Sequence, residues 1–246
     1  MLNMENPLHH FELHTLIPLN LLGIDISINN GILAMWVGLA VMFGLFMVVV
    51  KSGVRLVPGK LQSVAELALV FIKDMVDEFI GKEEARKYFP FIASLFFFIL
   101  ACNLIGMIPG SYTITSQLVV TGTFAICIFV LTLIIGFAKH GGHFLTILVP
   151  PGIPKLMIPL MIPIEIISMV ARPISLSVRL FANMTAGHTI LAVLFGLAMS
   201  ASLLVGWLPF GFTILINGLE IAIAFIQAYI FTILTCVYIG DVIHLH

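Results

Sequence analysis

The chain has 246 residues, of which 61% are hydrophobic and 9% charged, with a formal net charge of -1 and a mean hydropathy of +1.18. A water-soluble domain of this size cannot bury that much apolar surface in one core, so the composition describes a polytopic membrane protein. The near-neutral balance gives no electrostatic reason for a nucleic-acid partner, and Cys102, Cys127 and Cys236, odd in number and each in apolar sequence, read as buried inert thiols rather than a disulfide framework or a metal site.

Residues 1–30 carry Glu5, Glu12 and Asp25 but no Lys or Arg, so they lack the basic region of a cleavable signal and are expected to remain as an outer N-terminal segment. His9, His10 and His14 resemble a loose metal cluster there, but an exposed interfacial segment accounts for them, and neither metal nor other cofactor is expected. The first span is predicted over 31–50, matching the roughly 20 residues a helix needs to cross the hydrocarbon. An amphipathic helix is predicted over 58–86. Within it Leu61, Val64, Leu67, Phe71, Met75 and Phe79 recur at three- and four-residue steps, whereas Glu66, Lys73, Asp74, Asp77 and Glu78 fall elsewhere. That charge density forbids spanning, which places the helix in the interface plane or, alternatively, in a soluble hairpin packed on partner subunits. Gly53 to Lys60 only superficially suggests a phosphate loop, since Pro58 and Leu61 stand where Gly and Ser or Thr are needed.

A transmembrane hairpin is predicted over 89–138, from uncharged windows at 89–109 and 117–138, with Asn103 as a polar residue inside its first arm. Two long helices follow, over 156–205 and 210–240, joined by a turn around Gly206 to Gly211. Their apolar segments are about 45 Å long at ~1.5 Å per residue, so they must tilt steeply or break in a core of about 30 Å. Pro159, Pro163 and Pro173 bend the approach to the first of them. The expected fold is therefore an all-α polytopic membrane protein: five transmembrane helices, one interfacial amphipathic helix, and a single membrane domain over 1–246. Seven of the eleven Lys and Arg residues lie in 51–88, and Lys139 and Lys155 follow the third span. By the positive-inside rule the N-terminus faces outward, and five crossings leave the C-terminus inside.

The charged residues of the long helices carry the chemistry. Between Leu156 and Gly240 the only formal charges are Glu165, Arg172, Arg179 and Glu220. Glu165, Arg172 and Arg179 are spaced by seven and share one helical stripe, which Asn183 joins. His188 is rotated by about 180° from Arg179 and lies about 13 Å further outward. On the second long helix Glu220 and Gln227 share a face, and the antiparallel run puts Glu220 at the depth of His188. Carboxylate and imidazole can gain and lose a proton, whereas guanidinium stays charged at any cellular pH. Glu165, His188 and Glu220 can therefore conduct protons, while Arg179 can only repel or pair. Arg172 has a structural reading, snorkelling to the interface or pairing with Glu165. His188 and Glu220 likewise have structural readings, as an interhelical hydrogen bonder and a neutralising partner.

The block SLSVRLFANMTAGH at 175–188 and the helix INGLEIAIAFIQAYIFTILTCVY at 216–238 closely resemble the a subunits of F-type ATP synthases. PLHHFELH near the N-terminus and NLIGMIPGSYTITSQL at 103–118 resemble that family more weakly. The resemblance implies a stator hugging a rotating ring of c subunits, held with peripheral-stalk b subunits in a bacterial inner or mitochondrial inner membrane. It implies that Arg179 faces the ring carboxylate, that His188, Glu220 and Asn103 belong to an outer half-channel and Glu165 to an inner one, and that Asn183 and Gln227 are polar neighbours of the arginine. Some bacterial members exchange the imidazole and the acid between the two long helices; here the order is His188 then Glu220. The resemblance makes the chain a non-catalytic, proton-translocating subunit. No HExxH, nucleophile elbow or phosphate loop is present in the sequence. The competing reading is a self-contained ion-coupled transporter, which would carry its substrate without a ring.

Overall fold

A computed structural model describes residues 15–17, 20–21, 24–25, 27–51, 59–108, 114–148, 157–200 and 206–244. The His9, His10 and His14 cluster, the 7–14 motif, most of the 53–60 segment and Lys155 lie outside the described residues. Six α-helices account for most of what is described: α1 (Asn30–Lys51), α2 (Lys60–Ile80), α3 (Lys82–Gly106), α4 (Leu118–His140), α5 (Ile158–Ser200) and α6 (Trp207–Ile243). All but α2 are long and apolar enough to cross a membrane. Four short strands precede α1, with Thr15–Ile17 pairing antiparallel to Ile28–Asn29 and Asn20–Leu21 to Ile24–Asp25. Helical and alternating patterns cannot be told apart over two or three residues, so the sequence marks this stretch only as an outer segment.

Helix ends follow local chemistry. Asn29 caps α1, its Oδ1 accepting from the Ile32 amide at 2.9 Å. The sequence pattern ran the amphipathic helix from 58 to 86, but α2 stops at Ile80 because Gly81 takes φ 88°, and a new helix starts at Lys82. Only glycine occupies that region without steric penalty, which is why it terminates helices so often. Glu83 and Glu84 then fill the first turn of α3, where the helix dipole favours anions. Pro163 and Pro173 lie inside α5, each lacking an amide donor, yet the helix continues through both to reach 43 residues. At ~1.5 Å per residue α5 is about 65 Å long and α6 about 55 Å. A core of about 30 Å accommodates such lengths only by strong inclination or by protrusion.

The chain forms two compact units, each drawing on distant stretches: Met1–Lys51, Phe97–Leu118 and Leu180–Ala228 in the first, Ser52–Phe96, Val119–Arg179 and Tyr229–His246 in the second. In the first, α1 meets α3 where Gly38 lets the Cys102 thiol approach and where Phe46 and Phe97 pack edge to face, centroids 4.9 Å apart. In the second, Lys139 of α4 bridges to Glu84 of α3 at 2.7 Å, and Thr121 of α4 lies 3.3 Å from Ser177 of α5, hydroxyl to hydroxyl.

The second unit also shows how α2 is seated. The stripe read from sequence is not the one it buries: Ala65, Ile72, Val76 and Ile80 are buried together with Met75, whereas Val64, Leu67 and Phe71 are exposed, Leu67 by 72%. This helix has two apolar stripes, and tertiary packing chose the one with the smaller residues. Its partner is the last third of α6. Phe71 lies 5.5 Å from Tyr229, ring to ring, and the Phe79 carbonyl faces Gly240, where no side chain intervenes. His244 closes the seam, its Nε2 2.8 Å from the Ile80 carbonyl at the end of α2. Of the three thiols expected to be buried, Cys102 and Cys236 are, but Cys127 is exposed on α4. Apolar sequence on a membrane helix does not distinguish protein-facing from lipid-facing positions.

Candidate functional site

In the first unit α5 and α6 run antiparallel, and two polar rungs join them. Asn183 Nδ2 donates to Gln227 Oε1 at 3.0 Å. Further along, His188 Nδ1 stands 4.0 Å from Glu220 Oε1. Five residues separate the rungs on α5 and seven on α6, so two heptad-related side chains of α6 each meet a polar residue of α5. The carboxylate is 3% exposed and Gln227 2%. Neither oxygen of Glu220 has a hydrogen-bond partner among the described residues, and the same holds for Gln227 Nε2. Buried polar atoms in this state are costly unless water or another molecule satisfies them.

A glycine makes the second rung possible. A Cβ built on Gly187 would fall on Glu220 Oε1 and within 3.0 Å of its Cδ. The Glu220 side chain thus rests against the backbone of α5, beside the imidazole of the next residue. The sequence held a signal for this, since a mid-helix glycine costs about 1 kcal/mol relative to alanine and calls for a packing reason. Asn103 of α3 completes the group: it is fully buried, and its Nδ2 donates to the Ala224 carbonyl at 3.3 Å, one turn from Glu220 on α6. Its Oδ1 has no partner among the described residues.

The second unit holds the other charged residues. Arg172 does not pair with Glu165: its Nη1 is 3.4 Å from Asp241 Oδ2, and its guanidinium lies 5.6 Å from the centroid of the Tyr238 ring. The heptad spacing of Glu165 and Arg172 allowed the first pairing, but at seven residues the two are about 10 Å apart along the axis, and a carboxylate on the neighbouring helix is nearer. Asp241 was therefore missed, although it is the only acid in the last three turns of α6. Glu165 is half-buried. Arg179 is exposed, and among the described residues no carboxylate forms an ion pair with it.

The arrangement thus supplies an imidazole and a carboxylate 4.0 Å apart, a hydrogen-bonded amide rung on the same helix pair, and, elsewhere on α5, the exposed permanent cation Arg179. Among the described residues no cluster of three or more His, Cys, Asp or Glu could hold a metal.

The family model described as ATP synthase A chain matches residues 32–240. The chain is 50% identical over 244 residues to a protein named ATP synthase subunit a from Magnetococcus marinus, covering 98% of this chain and 94% of that one. Proteins of the same name from Pelagibacter ubique, 46% identical over 98% of both chains, and from Rhodospirillum rubrum, 44% identical over 99% of this chain and 100% of that one, are similar along nearly their whole length. With five helices able to span a bilayer and this match across both long helices, the chain is a multi-pass membrane protein that belongs to the ATP synthase A chain family.

Proposed function

We propose that this chain is the a subunit of an F-type ATP synthase, a non-catalytic stator that conducts protons through two offset half-channels to and from the carboxylates of a c-subunit ring. Protons enter past His188 and Glu220, with Asn103 beside them, and leave past Glu165. Arg179 lies between the two routes and prevents direct exchange. Asn183 and Gln227, bonded to each other, form the polar shoulder one turn along α5 from the arginine. The N-terminus is outside and the C-terminus inside, and α2 lies in the inner interface with its exposed Val64 and Leu67 against lipid. Peripheral-stalk b subunits hold the assembly.

The observation that carries this reading is the state of Arg179. A guanidinium within an apolar spanning helix costs about 3 kcal/mol or more unless an anion or a polar cavity receives it. Arg179 is exposed, and among the described residues no carboxylate forms an ion pair with it. In this reading a ring carboxylate, passing in turn, supplies the anion that the exposed guanidinium receives. Transfer of each proton is worth about 2.3 kcal/mol per 100 mV, so several in series drive the ring.

The test uses membrane vesicles carrying the assembled synthase. Arg179→Ala is expected to abolish proton-driven ATP synthesis while ATP hydrolysis by the catalytic head persists, and a cysteine at 179 is expected to cross-link to a ring helix. Undiminished synthesis by the Arg179→Ala vesicles would refute the proposal. Family membership removes the motive for a self-contained transporter, which would move its substrate without a ring.

A further inference from the structure

Thr185 carries a hydroxyl that behaves unlike those of other threonines in these helices. Thr123, Thr189, Thr213 and Thr235 each donate to the carbonyl four residues back, at 2.7 to 2.9 Å, and Thr132 to the carbonyl three back at 2.7 Å. That bond is the ordinary way for a helical hydroxyl in an apolar setting to satisfy itself. Thr185 Oγ1 is buried and makes no such bond, nor any other among the described residues. It precedes His188 by three positions on α5, a separation that makes the two side chains neighbours on the helix surface.

Four other residues of the same unit hold orphaned polar atoms: Thr115 Oγ1 and, on α3 and α6, Asn103 Oδ1, both oxygens of Glu220, and Gln227 Nε2. The last three are grouped by α6. Asn103 is fixed to the Ala224 carbonyl, and Ala224 lies four residues from Glu220 and three from Gln227. The set contains acceptors on Asn103 and Glu220, a donor on Gln227, and a hydroxyl on Thr185 that serves as both. Buried water takes about three such partners, and a patch rich in unmatched donors and acceptors is where it is retained.

We propose that Thr185 is a further residue of the proton route: its hydroxyl, with Asn103, Glu220 and Gln227, binds a short file of water that relays protons inward from the His188–Glu220 pair. The inference rests on the half-channel reading above. In the relay the hydroxyl accepts a hydrogen bond from one water and donates to the next. The excess proton is carried by water, and each hydroxyl proton passed on is replaced from the water behind it. Thr185 is never ionised.

The experiment measures passive proton conductance and ATP-driven proton pumping in vesicles bearing the complete synthase, with the a-subunit and ring content of each membrane determined in parallel. Thr185→Val keeps the shape and removes the hydroxyl, and is expected to lower conductance about five- to tenfold at unchanged assembly, the loss of one hydrogen bond to the relay. Thr185→Ser keeps the hydroxyl and is expected to retain at least half. Thr185→Ala, which adds no bulk, is measured beside them so that an assembly failure of the valine variant leaves the result readable, and the same loss is expected. Conductance undiminished in both hydroxyl-free variants overturns the proposal, as does equal loss in the serine variant, which would mark a packing role. Arg179→Ala is run in the same series: normal coupling there sinks the half-channel reading itself, whereas normal coupling confined to the Thr185 variants sinks only the relay.

Discussion

Gly187→Ala tests the geometry of the His188–Glu220 rung most directly. The new methyl would land on Glu220 Oε1, with Cδ at 3.0 Å and Cγ at 3.3 Å. To restore ordinary van der Waals separation the carboxylate must retreat by about 1 Å. The obstructing atom is the free end of a side chain, so α5 and α6 need not part, and the strain of an off-rotamer glutamate is about 1 kcal/mol. Assembly should therefore survive, but the retreat alters the 4.0 Å approach of the carboxylate to His188 Nδ1. Misplacement of a transferring group by about 1 Å can lower a rate by as much as a hundredfold. We expect ATP-driven proton pumping to fall between about ten- and a hundredfold. Glu220→Asp in the Gly187→Ala background shortens the acid and frees the space, so the double variant should pump better than Gly187→Ala alone. Full pumping in the single variant, measured with unchanged ring and a-subunit content, would show that the carboxylate does not work from the position it occupies.

Other contacts give separate outcomes. Asp241→Asn removes a pair whose side chains are 40% and 50% exposed, so solvent screening limits its worth to less than about 1 kcal/mol; thermal denaturation of the purified complex should shift by only a degree or two, and the exchange Arg172→Asp with Asp241→Arg should restore it. A shift far beyond that would show that Arg172 carries more than this pair. Gly240→Ala meets the Phe79 backbone carbonyl, which cannot swing away. The expected cost is about 1–3 kcal/mol, read as earlier thermal release of the a subunit from the complex and faster proteolysis between α2 and α3; unchanged stability would mean that α2 is not held against α6 at this point.

Much of this protein is legible in its sequence. Apolar length identifies spans because a bilayer of fixed thickness imposes about 20 residues on each crossing. Arg179 stood out because a permanent cation in such a segment needs an explanation that a local sequence can already demand. The heptad spacing of Glu220 and Gln227 put both on one face of α6, and the antiparallel run of the long helices put Glu220 near the depth of His188. Each of these follows from helix geometry and side-chain chemistry, which are properties of a single segment.

Tertiary structure decided which faces meet. Rotation of α5 about its axis set His188 opposite Glu220, matched Asn183 with Gln227, and gave Arg172 to Asp241 rather than Glu165. The seating of α2 was likewise decided by α6, which takes Phe71 on Tyr229 and lies with Gly240 against the Phe79 carbonyl. Periodicity fixes angles within one helix but carries no information about the angle of its neighbour. That angle is set by summed packing of many small contacts, and here glycines at 187 and 240 admit approaches that no pattern of hydrophobicity encodes.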